Sequence, residues 1–385
     1  MSLCRFARIE GSDPEAIVIR FFGIFFFFFQ CNSILGNIIS TAVLSSGNET
    51  YVQLTDEEMA LCGSSFCSQR TVATESVEPK PAEDLFTMED KEEEALPNAN
   101  FDTDITKIYI IAAIYLACSL AAALLVAVFV DPLSKFEATE ERKGKTQSTG
   151  LQLLVTGFRH WSIITILFQV ATFRQMKKKE QILVIPITFW SGIEQGFFGA
   201  DFTAVSDTCM YFNNKPSNSI FQGFVTCAYG VHTVGRVLIL FGVCNAAASI
   251  GFGFLIKLIG KLTRSPRLPI FVLGACLNAL VIIVMLAWTP TQSTLGVVYF
   301  LAALWGIGDA IWQTQINALY GCLFANDEEA AFSNYRLWES MGFLFAFITN
   351  ATGVCVFPKI ITTIVFLVLG MAGYIIVEYL ERQKL

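Results

Sequence analysis

Long apolar runs alternate with short charged blocks along the chain. Eight runs are long enough to cross a bilayer, which takes roughly 20 apolar residues for roughly 30 Å of hydrocarbon. They are Ile17–Leu44, Ile105–Val130, Ile182–Phe202, Val231–Ile256, Leu268–Trp288, Leu295–Leu319, Leu337–Phe357 and Ile360–Leu380. Phe21–Phe29 is almost continuous phenylalanine. Each run has the length and hydrophobicity of a membrane helix rather than of a strand. The expected fold class is therefore all-α and multi-pass. A ninth apolar stretch, Trp161–Phe173, is bracketed by Arg159 and Arg174 and is too short to cross.

The loops set the expected orientation. From Ser45 to Asp104 there are three Lys/Arg against fifteen Asp/Glu, and from Asp131 to Gln181 there are nine against five. Lys177–Lys179 stands directly before the third run, and Lys257–Arg267 after the fourth is also basic. Both basic loops come after even-numbered runs, so they share a side. The positive-inside rule makes that side cytoplasmic. Both chain ends are then inside, and the acidic 45–104 loop is outside, with the plasma membrane the expected location. That loop has the composition of a loosely folded segment. Three units are expected: 1–130 with two spans and the outer loop, a cytoplasmic central loop at 131–181, and a six-helix unit at 182–385.

Composition agrees with this reading. Charged residues are 15% of the chain, hydrophobic residues 54%, and mean hydropathy is +0.55. Soluble domains carry about a quarter charged residues. The net charge of −7 comes mostly from the outer loop and points to no nucleic-acid partner. Of 11 cysteines, Cys31, Cys118, Cys244, Cys276, Cys322 and Cys355 fall in apolar runs and read as small buried side chains. Cys62 and Cys67 lie in the outer loop, where a disulfide is a candidate. Asn48-Glu49-Thr50 is a candidate glycosylation triplet close to the membrane. Asn350-Ala351-Thr352 lies inside a run and reads as a chance match.

Polar groups at membrane depth are costly and face a bundle interior or a wet cavity. Glu194 and Asp201 are seven apart on the third run, so an α-helix puts them on one face. Such a pair could carry protons or bind a cation; alternatively Asp201 lies at the outer interface and Glu194 is paired structurally. Gln195 lies beside Glu194. Gly192, Gly196 and Gly199 permit close helix contact. On the fourth run Arg236 is a candidate partner for Asp201 or equally a side chain that snorkels to the headgroups, and Asn245 is near the centre. On the sixth, Asp309, Gln313 and Asn317 have i, i+4, i+8 spacing and form a polar stripe flanked by Trp312. The stripe needs either a wet cavity or interhelical partners. Arg336 and Glu339 are an i, i+3 pair at a cytoplasmic helix end, either a pin for that end or a latch. No nucleophile elbow, phosphate loop or metal-ligand cluster occurs. An enzyme, a metal centre and a cofactor are not expected.

Four strings carry a resemblance: WSGIEQGFFGAD at Trp190–Asp201, FVTCAYGVHTVG at Phe224–Gly235, DAIWQTQINALYG at Asp309–Gly321 and EAAFSNYRLWESMG at Glu329–Gly342. They closely resemble the Unc-ninety-three family of ion-channel regulatory proteins, within the major facilitator superfamily. The resemblance implies a twelve-helix fold of two six-helix halves around a central cavity. It makes the eight runs that family's helices five to twelve, with four N-terminal helices absent, as in a fragment. It implies a non-enzymatic accessory subunit of a potassium channel, embedded in lipid. Secondary transport of an unknown solute and trafficking of other membrane proteins are the alternatives. The matched residues include Glu194, Asp201, Asp309, Gln313, Asn317, Tyr335, Arg336 and Glu339.

Two segments depart from that pattern. Val155–Gln169 and Val205–Gln222 each begin with Val and end with Phe-Gln. Those residues can be encoded by the two edges of an intron. Two retained introns are therefore expected, and the genomic codons decide it.

Overall fold

The computed structural model describes residues 14–44, 105–129, 172–203, 225, 229, 231–262, 267–325 and 327–384. Eight long helices run through them. They are α1 (Pro14–Leu44), α2 (Ile105–Phe129), α3 (Lys179–Phe197), α4 (Val231–Leu262), α5 (Arg267–Ala287), α6 (Leu295–Leu323), α7 (Glu328–Ala351) and α8 (Val356–Lys384). A π-helical segment, Phe198–Phe202, prolongs α3. Asn48, Cys62, Cys67 and both insert-like segments lie outside the described residues.

Seven of the helices are long and apolar enough to cross a membrane. The seventh run, read as Leu337–Phe357, is the exception. Its helix starts earlier, at Glu328, and ends at Ala351. At about 1.5 Å per residue its 24 residues still reach about 36 Å. However, Glu328, Glu329, Arg336 and Glu339 charge its first half, which shortens the apolar part.

Side chains are distributed as lipid solvent requires. Leu273, Phe300, Phe347, Val368 and Tyr379 face outward, while the buried core holds Trp190, Trp305, Trp312 and Tyr320. Wide outward apolar surface is a liability in water but ordinary against lipid. Helix α6 is central and packs on α1, α3, α4, α5 and α7. Helix α3 packs on α7 and α8, and α1 lies along α4. Helix α2 touches the rest lightly, through α1, where the Tyr115 hydroxyl donates to the Gly36 carbonyl at 2.8 Å.

Close approach between α3 and α7 comes from small residues facing each other. A Cβ on Gly192 would collide with the Glu339 backbone carbonyl, and one on Gly342 with the Phe189 carbonyl. Gly196 meets Ala346 one turn further along. Each helix thus offers a small-x-x-x-small pair to the other, the arrangement that lets helix backbones touch in lipid. Gly199 has nothing within 4 Å of its would-be Cβ, so it takes no part in this contact.

The turn between α7 and α8 is a Schellman closure. Gly353 takes φ 68°. Its N–H donates to the Asn350 carbonyl at 3.0 Å, and the Val354 N–H donates to the Thr349 carbonyl at 3.1 Å. The chain therefore reverses within a few residues, which returns Lys359 of α8 to the level of Asn350. Cys322 and Cys355 stand at opposite ends of α7 and each takes part in a disulfide, which corrects their reading as simple small buried side chains. Cys31, Cys118, Cys244 and Cys276 are free.

Candidate functional site

Two polar clusters lie inside the bundle, and they divide residues that the sequence places on one helix face. The cause is the π-helical segment at Phe198–Phe202. A π-turn adds a residue per turn and rotates the helix beyond it. Glu194, before it, faces α5 and α6. Asp201, within it, faces α7 and α8.

The central cluster is built from four helices. Glu194 of α3 and Asp309 of α6 are buried, with exposures of 0% and 2%, and their carboxyl groups face each other. Each is held by an asparagine amide. On α4, Asn245 Nδ2 donates to Asp309 Oδ2 at 2.6 Å. The Ser249 hydroxyl donates to Asn245 Oδ1 at 3.3 Å, which fixes the amide's orientation. On α5, Asn278 Nδ2 donates to Glu194 Oε1 at a long 3.5 Å, and Trp312 Nε1 donates to Asn278 Oδ1 at 2.7 Å. Glu194 Oε2 and Asp309 Oδ1 have no hydrogen-bond partner among the described residues. The Trp305 indole faces Glu194, and the Gln313 side chain faces Asp309, without closing a hydrogen bond.

The stripe continues along α6. Gln313 and Asn317 are buried as Asp309 is. Asn317 Nδ2 donates to the Gln313 carbonyl at 2.7 Å and to the Tyr335 hydroxyl at 3.3 Å. Tyr335 donates to Glu339 Oε1 at 2.8 Å, and Arg336 donates to Glu339 Oε2 at 2.5 Å. Arg336 is half exposed while Glu339 is nearly buried. The Asn317 end of the stripe and the Arg336–Glu339 pair are thus joined by one chain of polar contacts through Tyr335. Near the start of α7 Lys178 pairs with Asp327 at 2.6 Å across α3 and α7.

The second cluster surrounds Asp201. Its partner is Lys359, at 2.5 Å, and not Arg236. Arg236 is exposed on α4. Lys359 sits at the start of α8, just outside the apolar run Ile360–Leu380, so hydropathy places it in a loop. Asn350 Nδ2 donates to Asp201 Oδ1 at 2.9 Å and to the Ala200 carbonyl at 2.6 Å. The amide is used inside the bundle, in keeping with Asn350-Ala351-Thr352 being a chance triplet. Asp201, Lys359, Thr349, Thr362 and Thr363 line part of a cavity of 50 Å³. It is too small for a solute and adequate for a water.

Gln195 bonds only within α3, its Nε2 to the Ser191 carbonyl at 3.2 Å and to the Ser191 hydroxyl at 3.3 Å. Asn278 and Lys359 complete the two clusters but carry no motif, whereas Tyr335 lies in the string Glu329–Gly342 and Asn350 in the chance triplet. The signal available for Asn278 was its isolation as an amide in an otherwise apolar run. Among the described residues no group of three or more His, Cys, Asp or Glu could hold a metal ion.

Comparison with known proteins gives the relationship. The family described as ion channel regulatory protein UNC-93 matches residues 15–376. Protein unc-93 homolog A of Xenopus laevis is 32% identical over 99% of this chain and 69% of its own length. The same homolog of Bos taurus is 34% identical over 98% of this chain and 68% of its own. A Caenorhabditis elegans relative, unc-93, whose name describes a potassium channel regulatory role, is 28% identical over 98% of this chain and 45% of its own length. This chain, with its bundle of apolar helices and buried acid–amide clusters, belongs to the UNC-93 family of ion channel regulatory proteins.

Proposed function

We propose that the protein is a non-enzymatic regulatory subunit of a potassium channel in the plasma membrane. Family membership carries this reading. The buried clusters support it. They are joined across helices by hydrogen bonds, and the cavity of 50 Å³ beside Asp201 admits no solute-sized ligand. Polar groups used this way lock helices to one another. A transporter needs a wet path along Asp309, Gln313 and Asn317, but those side chains are buried.

The orientation belongs to the same proposal. Lys178 pairs with Asp327, so the start of α3 and the start of α7 lie together. Lys177–Lys179 put positive charge there, which supports a cytoplasmic position for that face. Helix α7 then spans as well, its charged half at the inner interface and its outward Leu344, Phe347 and Ile348 in lipid. On this reading helices α3–α8 correspond to one six-helix half of a major-facilitator-type bundle, and α1 and α2 to part of the other. Co-expression with individual potassium channels tests the role. The expected result is co-purification with a channel and altered channel current, with no solute uptake by this protein alone. Asp309-dependent uptake without a channel supports the transporter reading instead.

A further inference from the structure

We propose that Glu194 and Asp309 form a carboxylic acid–carboxylate pair that holds a single proton at the centre of the bundle. Two acids from different helices face each other there, both buried. Among the described residues no basic side chain bonds either one. The buried cations among them lie elsewhere, Lys359 paired with Asp201 and Arg267 at the start of α5, and the half-exposed Arg336 is paired with Glu339. Two ionised carboxylates in contact cannot both persist in a low-dielectric interior. One proton resolves this and satisfies both orphaned oxygens, since the acid donates and the carboxylate accepts. The structure supplies one such oxygen on each residue, Glu194 Oε2 and Asp309 Oδ1.

A metal cation fits less well. An alkali ion needs several oxygen ligands. The nearby amide oxygens are occupied, that of Asn245 by Ser249 and that of Asn278 by Trp312. Both amides instead present N–H groups to the acids, which suits a carboxyl pair and repels a cation. The surrounding groups are accounted for on every helix that meets the pair. Helix α4 contributes Asn245, α5 contributes Asn278, and α6 contributes Trp305, Trp312 and Gln313. Helix α7 contributes the charge of Glu339, which Arg336 and Tyr335 bind. The proton ties α3 to α6, with the amides tying in α4 and α5, so its loss leaves two like charges in the packed core.

Infrared spectroscopy of the purified full-length chain in lipid tests this. The wild type is expected to show a protonated-carboxyl C=O band that shifts in D2O and equals one proton per chain. Asp309→Asn and Glu194→Gln are each expected to remove that band, because either substitution leaves one unshared carboxylate facing an amide donor. If a variant fails to fold, 13C labelling of aspartate or glutamate carboxyls in the wild type is expected to move the same band. A band unmoved by either label overturns the proposal. So does a thermal stabilisation by sodium chloride over choline chloride that both substitutions abolish, since that result identifies a sodium site.

Discussion

At the residue scale, the Asp201–Lys359 pair is the sharpest feature outside the central cluster. Both side chains are more than nine-tenths buried and 2.5 Å apart, with Asn350 sharing the aspartate. Breaking a buried pair strands a charge, which costs about 3–5 kcal/mol, whereas replacing both partners with apolar groups is close to neutral. Asp201→Leu and Lys359→Met are each expected to destabilise strongly, and the double variant to recover most of the loss. Denaturation in detergent across the four proteins measures the coupling. Additive losses would mean that the two charges do not depend on each other. Tyr335 offers a smaller test of the polar contacts that run through it. Tyr335→Phe removes the donor to Glu339 and the acceptor for Asn317. It is expected to cost about 1–3 kcal/mol in the same assay, the penalty for leaving buried partners unsatisfied.

At the element scale, the α3–α7 contact depends on backbone touching backbone. Gly192→Leu and Gly342→Leu each drive a side chain into a carbonyl of the other helix. Overpacking of this kind costs about 1–3 kcal/mol. Both are expected to lower the melting temperature, and Gly199→Leu, which meets open space, is the control. Equal melting temperatures for all three would contradict the packing described. The helices themselves were legible in the sequence, because lipid forces a long apolar run for each crossing. The start of α7 was less so. Its charges lie on a helix that continues past the hydrocarbon, and hydropathy registers only the apolar part. The partners of Asp201 were hidden for a different reason. A π-turn changes which face a residue occupies, and constant helical spacing cannot anticipate it. Lys359 was hidden because it borders an apolar run, where a lysine ordinarily reads as a loop residue. The stripe Asp309, Gln313, Asn317 was visible as spacing, but its partners on α4 and α7 are set by tertiary packing.

At the scale of the whole molecule, the charge bias and the Lys178–Asp327 contact support one orientation. Tags on the two ends are expected to be shielded from protease in intact cells, and one inserted within 45–104 to be cleaved. Cleavage of both end tags would invert the assignment. The family relationship bears on the role, and the interhelical polar clusters say how such a role is compatible with this fold. A regulator needs a firm surface to present to its partner, and interhelical hydrogen bonds hold α3 through α7 in one arrangement. A carrier needs a path that opens, and the described interior is packed. The most direct test is the potassium current of cells expressing one channel with and without this protein, with solute uptake followed in parallel. A regulatory subunit changes the current when it is present and leaves uptake unchanged. Unchanged currents across the channels tried, together with uptake lost in Asp309→Asn, would contradict that role.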